Sequence, residues 1–184
     1  MKVISINTGQ PRAVVAGGRT VRTSIWKTPR DGRVRVGTLN IEGDEQSDLT
    51  VHGGPRKAVY LYPSEHYAFW REQLPEMDLP WGAFGENVTT EGLAETETRI
   101  GDRLEIGTAE FEVTQSRQPC FKLAIRFGRG DMIKRFYASG RSGFYVAVVR
   151  EGDIGAGDEI RVTKRASRGR MVSEMFAMKA ADQE

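Results

Sequence analysis

Cysteine is nearly missing from this chain: 184 residues carry one thiol, Cys120. A lone cysteine excludes an internal disulfide framework and fits a reducing compartment. Histidine is almost as scarce, with only His52 and His66. No His–carboxylate pair is evident in the sequence to activate the thiol as a hydrolase requires. Long apolar runs are missing too: no stretch reaches membrane-span length, and the N-terminus shows no apolar signal core. The expectation is a cytoplasmic protein without a membrane partner. Charge of one sign is also lacking, since a formal net charge of +2 gives no reason to invoke a nucleic acid polymer. What is present is an ordinary soluble balance, 39% apolar and 28% charged residues, at a length suited to one domain with its own core.

Short alternating segments dominate. Lys2 to Asn7, Val21 to Trp26, Val34 to Leu39, Ala58 to Tyr62, Gly101 to Gly107, Ala109 to Thr114, Phe144 to Val149 and Glu159 to Thr163 read as strands. Residues 8–19, with Pro11 and three glycines, read as a loop, and Lys27 to Gly32 and Gly152 to Asp158 as turns. Ser64 is placed to cap a helix through Leu74, with Tyr67, Trp70 and Leu74 on one face, and His66 at its edge reads as structural. Asp131 is placed to cap a second helix, Met132 to Ala138, and Met171 to Lys179 could begin a further one that packs peripherally or frays. Eight or more short strands with few helices imply a closed or nearly closed barrel.

The stretch Arg117-Gln118-Pro119-Cys120-Phe121-Lys122 opens another helix. Pro119 fits its first turn, Gly128 its end, and Cys120, Leu123, Ala124 and Phe127 recur at helical spacing. Arg117, Lys122 and Arg126 add cationic charge that favours a thiolate. A buried, inert thiol is equally compatible with the spacing. Upstream, Val51-His52-Gly53-Gly54-Pro55-Arg56-Lys57 could form an anion-binding nest or simply a tight turn. The glycine-rich segment 81–92 offers Asn87, Thr89 and Thr90 as ligand donors or as turn residues.

Four blocks, in order, resemble the MOSC domain of molybdenum cofactor sulfurases: Asp48 to Gly54 with Lys57-Ala58-Val59, Gly82 to Thr89, Ile100-Gly101-Asp102, and Arg117 to Leu123. The Tyr62 to Tyr67 block is most similar to stand-alone bacterial YiiM-type members. The resemblance implies a mainly β fold with a few helices, a MOSC-type (pyruvate kinase β-barrel-like) barrel over residues 1–165. Residues 166–184 then form a tail, or the start of a truncated helical extension. It further implies a molybdopterin-type molybdenum cofactor, with Cys120 as sulfur ligand to the metal and as a catalytic residue beside His52. Gly53, Gly54, Lys57, Asn87, Thr89, Arg117 and Lys27 are the cofactor-binding positions it suggests. The implied activity is reduction of small N-hydroxylated compounds such as hydroxylaminopurines, with a flavin-containing electron donor as partner. The alternative is a sulfur carrier that accepts a persulfide on Cys120 from a pyridoxal phosphate-dependent cysteine desulfurase. A barrel with an inert buried cysteine is the third reading.

Overall fold

The computed structural model describes residues 1–46 and 53–182. The strands β1 (Lys2–Thr8), β2 (Arg12–Ala16), β3 (Arg19–Thr23), β4 (Thr28–Arg30) and β5 (Arg33–Val36) come first, before a 3₁₀ turn at Pro55–Lys57. Then follow β6 (Val59–Pro63), helix α1 (Glu65–Gln73), β7 (Val88–Glu91), β8 (Arg103–Ile106) and β9 (Ala109–Ser116). Helices α2 (Phe121–Phe127) and α3 (Met132–Ser139) lead to β10 (Phe144–Arg150), β11 (Gly152–Gly155), β12 (Ile160–Lys164) and α4 (Val172–Ala181).

Eight strands share one sheet in the order β12-β8-β9-β10-β6-β7-β1-β4, with only β6 and β7 running parallel. The mainly β reading with four helices holds, but the expected closed barrel is not found among the described residues. The reason lies on the outer edge of β1. Ile6 to Thr8 pair there with the three residues of β4, while Lys2 makes a single bridge to Glu159. The Ile160 N–H donates to the Met1 carbonyl at 2.9 Å. Val3 donates its N–H to the Asp158 carbonyl and accepts the Gly157 N–H, both at 2.9 Å, so the start of β1 meets the segment leading into β12 through a few backbone hydrogen bonds and one bridge, without a regular strand ladder.

Every residue of β6 is buried. Alternation sends Val59 and Leu61 into an aliphatic core with Val3, Ile6, Leu104, Phe111 and Val146. Tyr60 and Tyr62 point the other way, into an aromatic cluster with Tyr67, Trp70, Phe84, Phe127 and Phe136 beneath the helices. A strand covered on both faces loses the apolar/polar alternation of a half-buried one. The aromatic layer is the side on which the helices, and the functional site, are built.

Several sequence expectations are corrected. Residues 8–19 are not a plain loop: β2 and β3 form a two-stranded hairpin around Gly17 and Gly18, both at positive φ. Its side chains are largely exposed, so no core-facing pattern marked it. Strand β3 ends at Thr23, and Ser24 to Lys27 are irregular. The 27–32 turn contains β4, and the 152–158 turn contains β11, which pairs with β5 apart from the main sheet. Neither Ser64 nor Asp131 caps through its side chain; Asp131 instead pairs with Arg129 and Arg135. Helix α4 is packed: Val172 enters the aliphatic core, and Phe176 stacks on Tyr137 with centroids 5.5 Å apart.

Candidate functional site

The site is assembled where the β3–β4 connection, the 82–87 turn, β6 and the start of α2 converge. Glycines allow the approach. Gly82 (φ 87°) and Gly85 (φ 80°) adopt a backbone conformation that other residues avoid. A Cβ on Gly82 would stand 2.8 Å from the Lys27 carbonyl oxygen, and one on Gly85 would stand 3.0 Å from Ile25 Cγ1. The turn is fastened from within by Glu86, a fully buried carboxyl. It accepts from the Gly82 N–H at 2.8 Å, the Phe84 N–H at 3.2 Å, the Thr89 hydroxyl at 3.0 Å and the Tyr67 hydroxyl. Burial raises its pKa despite these donors.

Glu86 leaves Asn87 at the pocket wall. Asn87 Nδ2 donates to Asp44 Oδ2 at 2.8 Å, and its Oδ1 accepts the Tyr60 N–H at 3.1 Å. Asp44 also accepts the Gly9 N–H at 2.8 Å and forms an ion pair with Lys27, the two side chains being 3% and 8% exposed. Burial lowers the Lys27 pKa against the pull of Asp44. Lys27, Asp44 and Asn87 thus satisfy one another.

Across the pocket the situation reverses. Strand β9 ends at Ser116, and Arg117 turns inward with 5% exposure. Its Nη1 donates to the Phe84 carbonyl at 3.0 Å and to the Tyr60 hydroxyl at 3.4 Å, and its Cζ lies 4.9 Å from the Tyr60 ring centroid. No carboxylate pairs with it among the described residues. Burial opposes its charge, but Tyr60, Tyr145 and Cys120 outweigh burial and raise its pKa. Gly128 closes α2 in left-handed conformation, as the sequence implied, but the helix starts later than expected: Pro119 precedes it, and Cys120 is its N-cap residue, in extended conformation and partly exposed to the pocket.

Two residues further on, Lys122 is 8% exposed and lines the same pocket without a hydrogen bond or ion pair to any described residue. Tyr145 lines it too; its hydroxyl has no partner among the described residues, and burial raises its pKa, so it stays a neutral donor. Ser24 Oγ, from the β3–β4 connection, is buried without a partner among the described residues.

Of the positions singled out from sequence, Lys27, Gly53, Lys57, Asn87, Arg117 and Cys120 line this one pocket. Gly54 precedes the 3₁₀ turn outside the lining. Thr89 is buried behind the wall, between Asn7 Nδ2 (3.1 Å) and Glu86. His52 lies outside the described residues. His66 sits elsewhere, its Nε2 2.9 Å from Glu95, whose carboxylate also accepts the Gly143 N–H at 2.6 Å. Asp44, Glu86 and Tyr145 were not foreseen. Lys122 was visible only as a cation near the thiol.

With this geometry in place, comparison with known proteins is decisive. The model of the MOSC domain matches residues 48–161. The chain belongs to the MOSC domain family. It is 42% identical over 175 residues to the uncharacterized protein YflK of Bacillus subtilis (strain 168), covering 95% of this chain and 78% of that protein. The crystal structure of YiiM from Geobacillus stearothermophilus superposes with a TM-score of 0.81 at 34% identity, covering 100% of this chain and 85% of that one. A protein named Reductase from Gibberella moniliformis (strain M3125 / FGSC 7600) is 35% identical over 166 residues, 89% of this chain and 29% of that protein. Among the described residues no helix of this MOSC protein is long and apolar enough to cross a membrane.

Proposed function

We propose that this MOSC protein holds a molybdenum cofactor of the molybdopterin type in the Cys120 pocket and reduces small N-hydroxylated compounds there. The observation that carries the reading is a soft sulfur donor set beside two buried cations, Arg117 and Lys122, that have no carboxylate partner among the described residues. A cofactor bearing a phosphate group and a thiophilic metal matches that donor set.

Bound there, the cofactor would supply two-electron chemistry, delivered from a flavin-containing electron donor. The reaction consumes two electrons and two protons, breaks the N–O bond, and leaves an amine and water. Cys120 would give its sulfur to the metal, and Arg117 and Lys122 would neutralise the cofactor's negative charge. Tyr145, neutral and without a hydroxyl partner among the described residues, would donate a hydrogen bond to the substrate oxygen that departs as water. The Lys27–Asp44–Asn87 set would hold the opposite wall in position without contributing net charge.

Elemental analysis of protein purified from a cofactor-competent host tests this. Native protein should carry molybdenum and reduce a hydroxylaminopurine, and Cys120→Ala should lose both. Equal, negligible molybdenum in the two proteins would sink the reading. A sulfur adduct on Cys120 after incubation with a cysteine desulfurase would then favour the sulfur-carrier alternative.

A further inference from the structure

Outside the pocket, a second group of cations surrounds Trp26. This residue lies between Ile25 and Lys27, both of which line the pocket. Arg12, from the exposed β2–β3 hairpin, holds its Cζ 3.8 Å from the Trp26 ring centroid, and Arg126, from α2, holds its own 6.0 Å away. Arg126 is four residues beyond Lys122, so the two share a face of α2 and continue one line of charge out of the pocket. Among the described residues neither arginine makes an ion pair or a side-chain hydrogen bond, and Arg126 Nε is buried without a partner. Burial, and next the neighbouring Arg12, push the Arg126 pKa down.

Two like charges on one indole, one of them with an orphaned buried N–H, are costly unless something answers them. A guanidinium lying over a ring still keeps its N–H donors, and their forked geometry suits a tetrahedral oxyanion. We propose that Arg12 and Arg126, set about Trp26, form an oxyanion subsite for the phosphoryl group of a ligand whose other end occupies the Cys120 pocket. Resting on the reductase reading above, this makes phosphate esters of N-hydroxylated bases, and not the free bases, the preferred substrates. The same phosphate monoester chemistry could instead belong to the cofactor, and the test separates the two sources.

The purified protein is titrated with inorganic phosphate, adenosine monophosphate and adenosine, with thermal midpoint and tryptophan fluorescence as readouts, against chloride at matched ionic strength. Phosphate and the monophosphate should raise the midpoint and perturb the fluorescence, and adenosine should do so far less. Arg126→Gln and the exposed Arg12→Gln should each weaken monophosphate binding about tenfold, the loss of one charge-assisted contact. Arg126→Lys should recover part of it. A native response equal to that of chloride, or variants that bind like native protein, would overturn the subsite. Molybdenum content assigns the source: Arg12→Gln and Arg126→Gln that keep native molybdenum place the phosphate on the substrate. Molybdenum lost in step with monophosphate binding would overturn the substrate assignment in favour of the cofactor. Because phosphate binding is read without turnover, it stands or falls independently of the Cys120→Ala comparison.

Discussion

On the Asp44 wall of the pocket, charges are answered by described residues of the chain; on the α2 wall, among the described residues, they are not. Lys27, Asp44 and Asn87 form a closed set in which each polar atom has a partner of the same protein. Among the described residues Arg117 finds only neutral acceptors, Lys122 finds none, and Arg126 has an orphaned N–H. The first arrangement holds a shape. The second stores unmet demand for negative charge, which lowers stability in the free protein and is recovered when an anion binds. The same chain therefore supplies a rigid wall and a receptive wall, and substitutions should have opposite consequences on the two.

The largest effect is expected from Asp44→Ala. It strands the Lys27 ammonium in a buried position and removes the acceptor of the Gly9 N–H and the Asn87 amide. Loss of one partner from a buried ion pair costs about 3–5 kcal/mol. Urea denaturation should show a fall of that size, and the double replacement Lys27→Met with Asp44→Leu should be far less damaging than Asp44→Ala alone. A single substitution costing less than about 1 kcal/mol would mean the wall is not closed as described.

Next in size is Glu86→Gln. The carboxyl accepts from four donors, and an amide nitrogen would face some of them with its own hydrogens. The expected loss is about 1–3 kcal/mol. The sign with pH is also fixed. The folded-state pKa lies above the ordinary 4.5, so the folded protein binds the extra proton and the unfolded chain releases it first. Stability should fall as pH rises from 4.5 through the raised folded pKa, and then level off. Denaturation midpoints measured across that range should be flatter in Glu86→Gln than in native protein.

What could be read in advance follows the same division. The short β segments, the helix from Phe121 to Gly128 and the convergence on Cys120 were legible because each depends on local spacing and turn chemistry. The hairpin of β2 and β3 was not, because strands that face solvent on both sides carry no buried face to mark them. Nor was closure of the sheet, which turns on how residues far apart share the outer edge of β1. At the site, Arg117 was legible as a cation beside the thiol and Lys57 as one beside a glycine turn. Asp44 lay unnoticed in a polar run because its partners, Lys27 and Asn87, stand 17 and 43 positions away. Thr89 looked like a ligand donor in the sequence, yet it points at Asn7 and Glu86 behind the wall. A sequence shows which residues can donate; only the fold shows which have already done so.

The smallest stability effect, with the opposite sign, should come from Lys122→Met. Lys122, like Lys27, lines the pocket, but no carboxylate neutralises it among the described residues. Methionine keeps the length and apolar contacts of the stem while removing a charge that no described carboxylate answers. The substitution should leave the unfolding free energy unchanged or raise it by up to about 1 kcal/mol, where Asp44→Ala lowers it several-fold more. At the same time molybdenum content should drop well below that of native protein, since the receptive wall has lost one of its two buried cations. A stable variant that retains full molybdenum would show that Lys122 does not meet the ligand, and would leave Arg117 as the cation that does. A variant destabilised as strongly as Asp44→Ala would instead place Lys122 among the answered charges and abolish the distinction between the two walls.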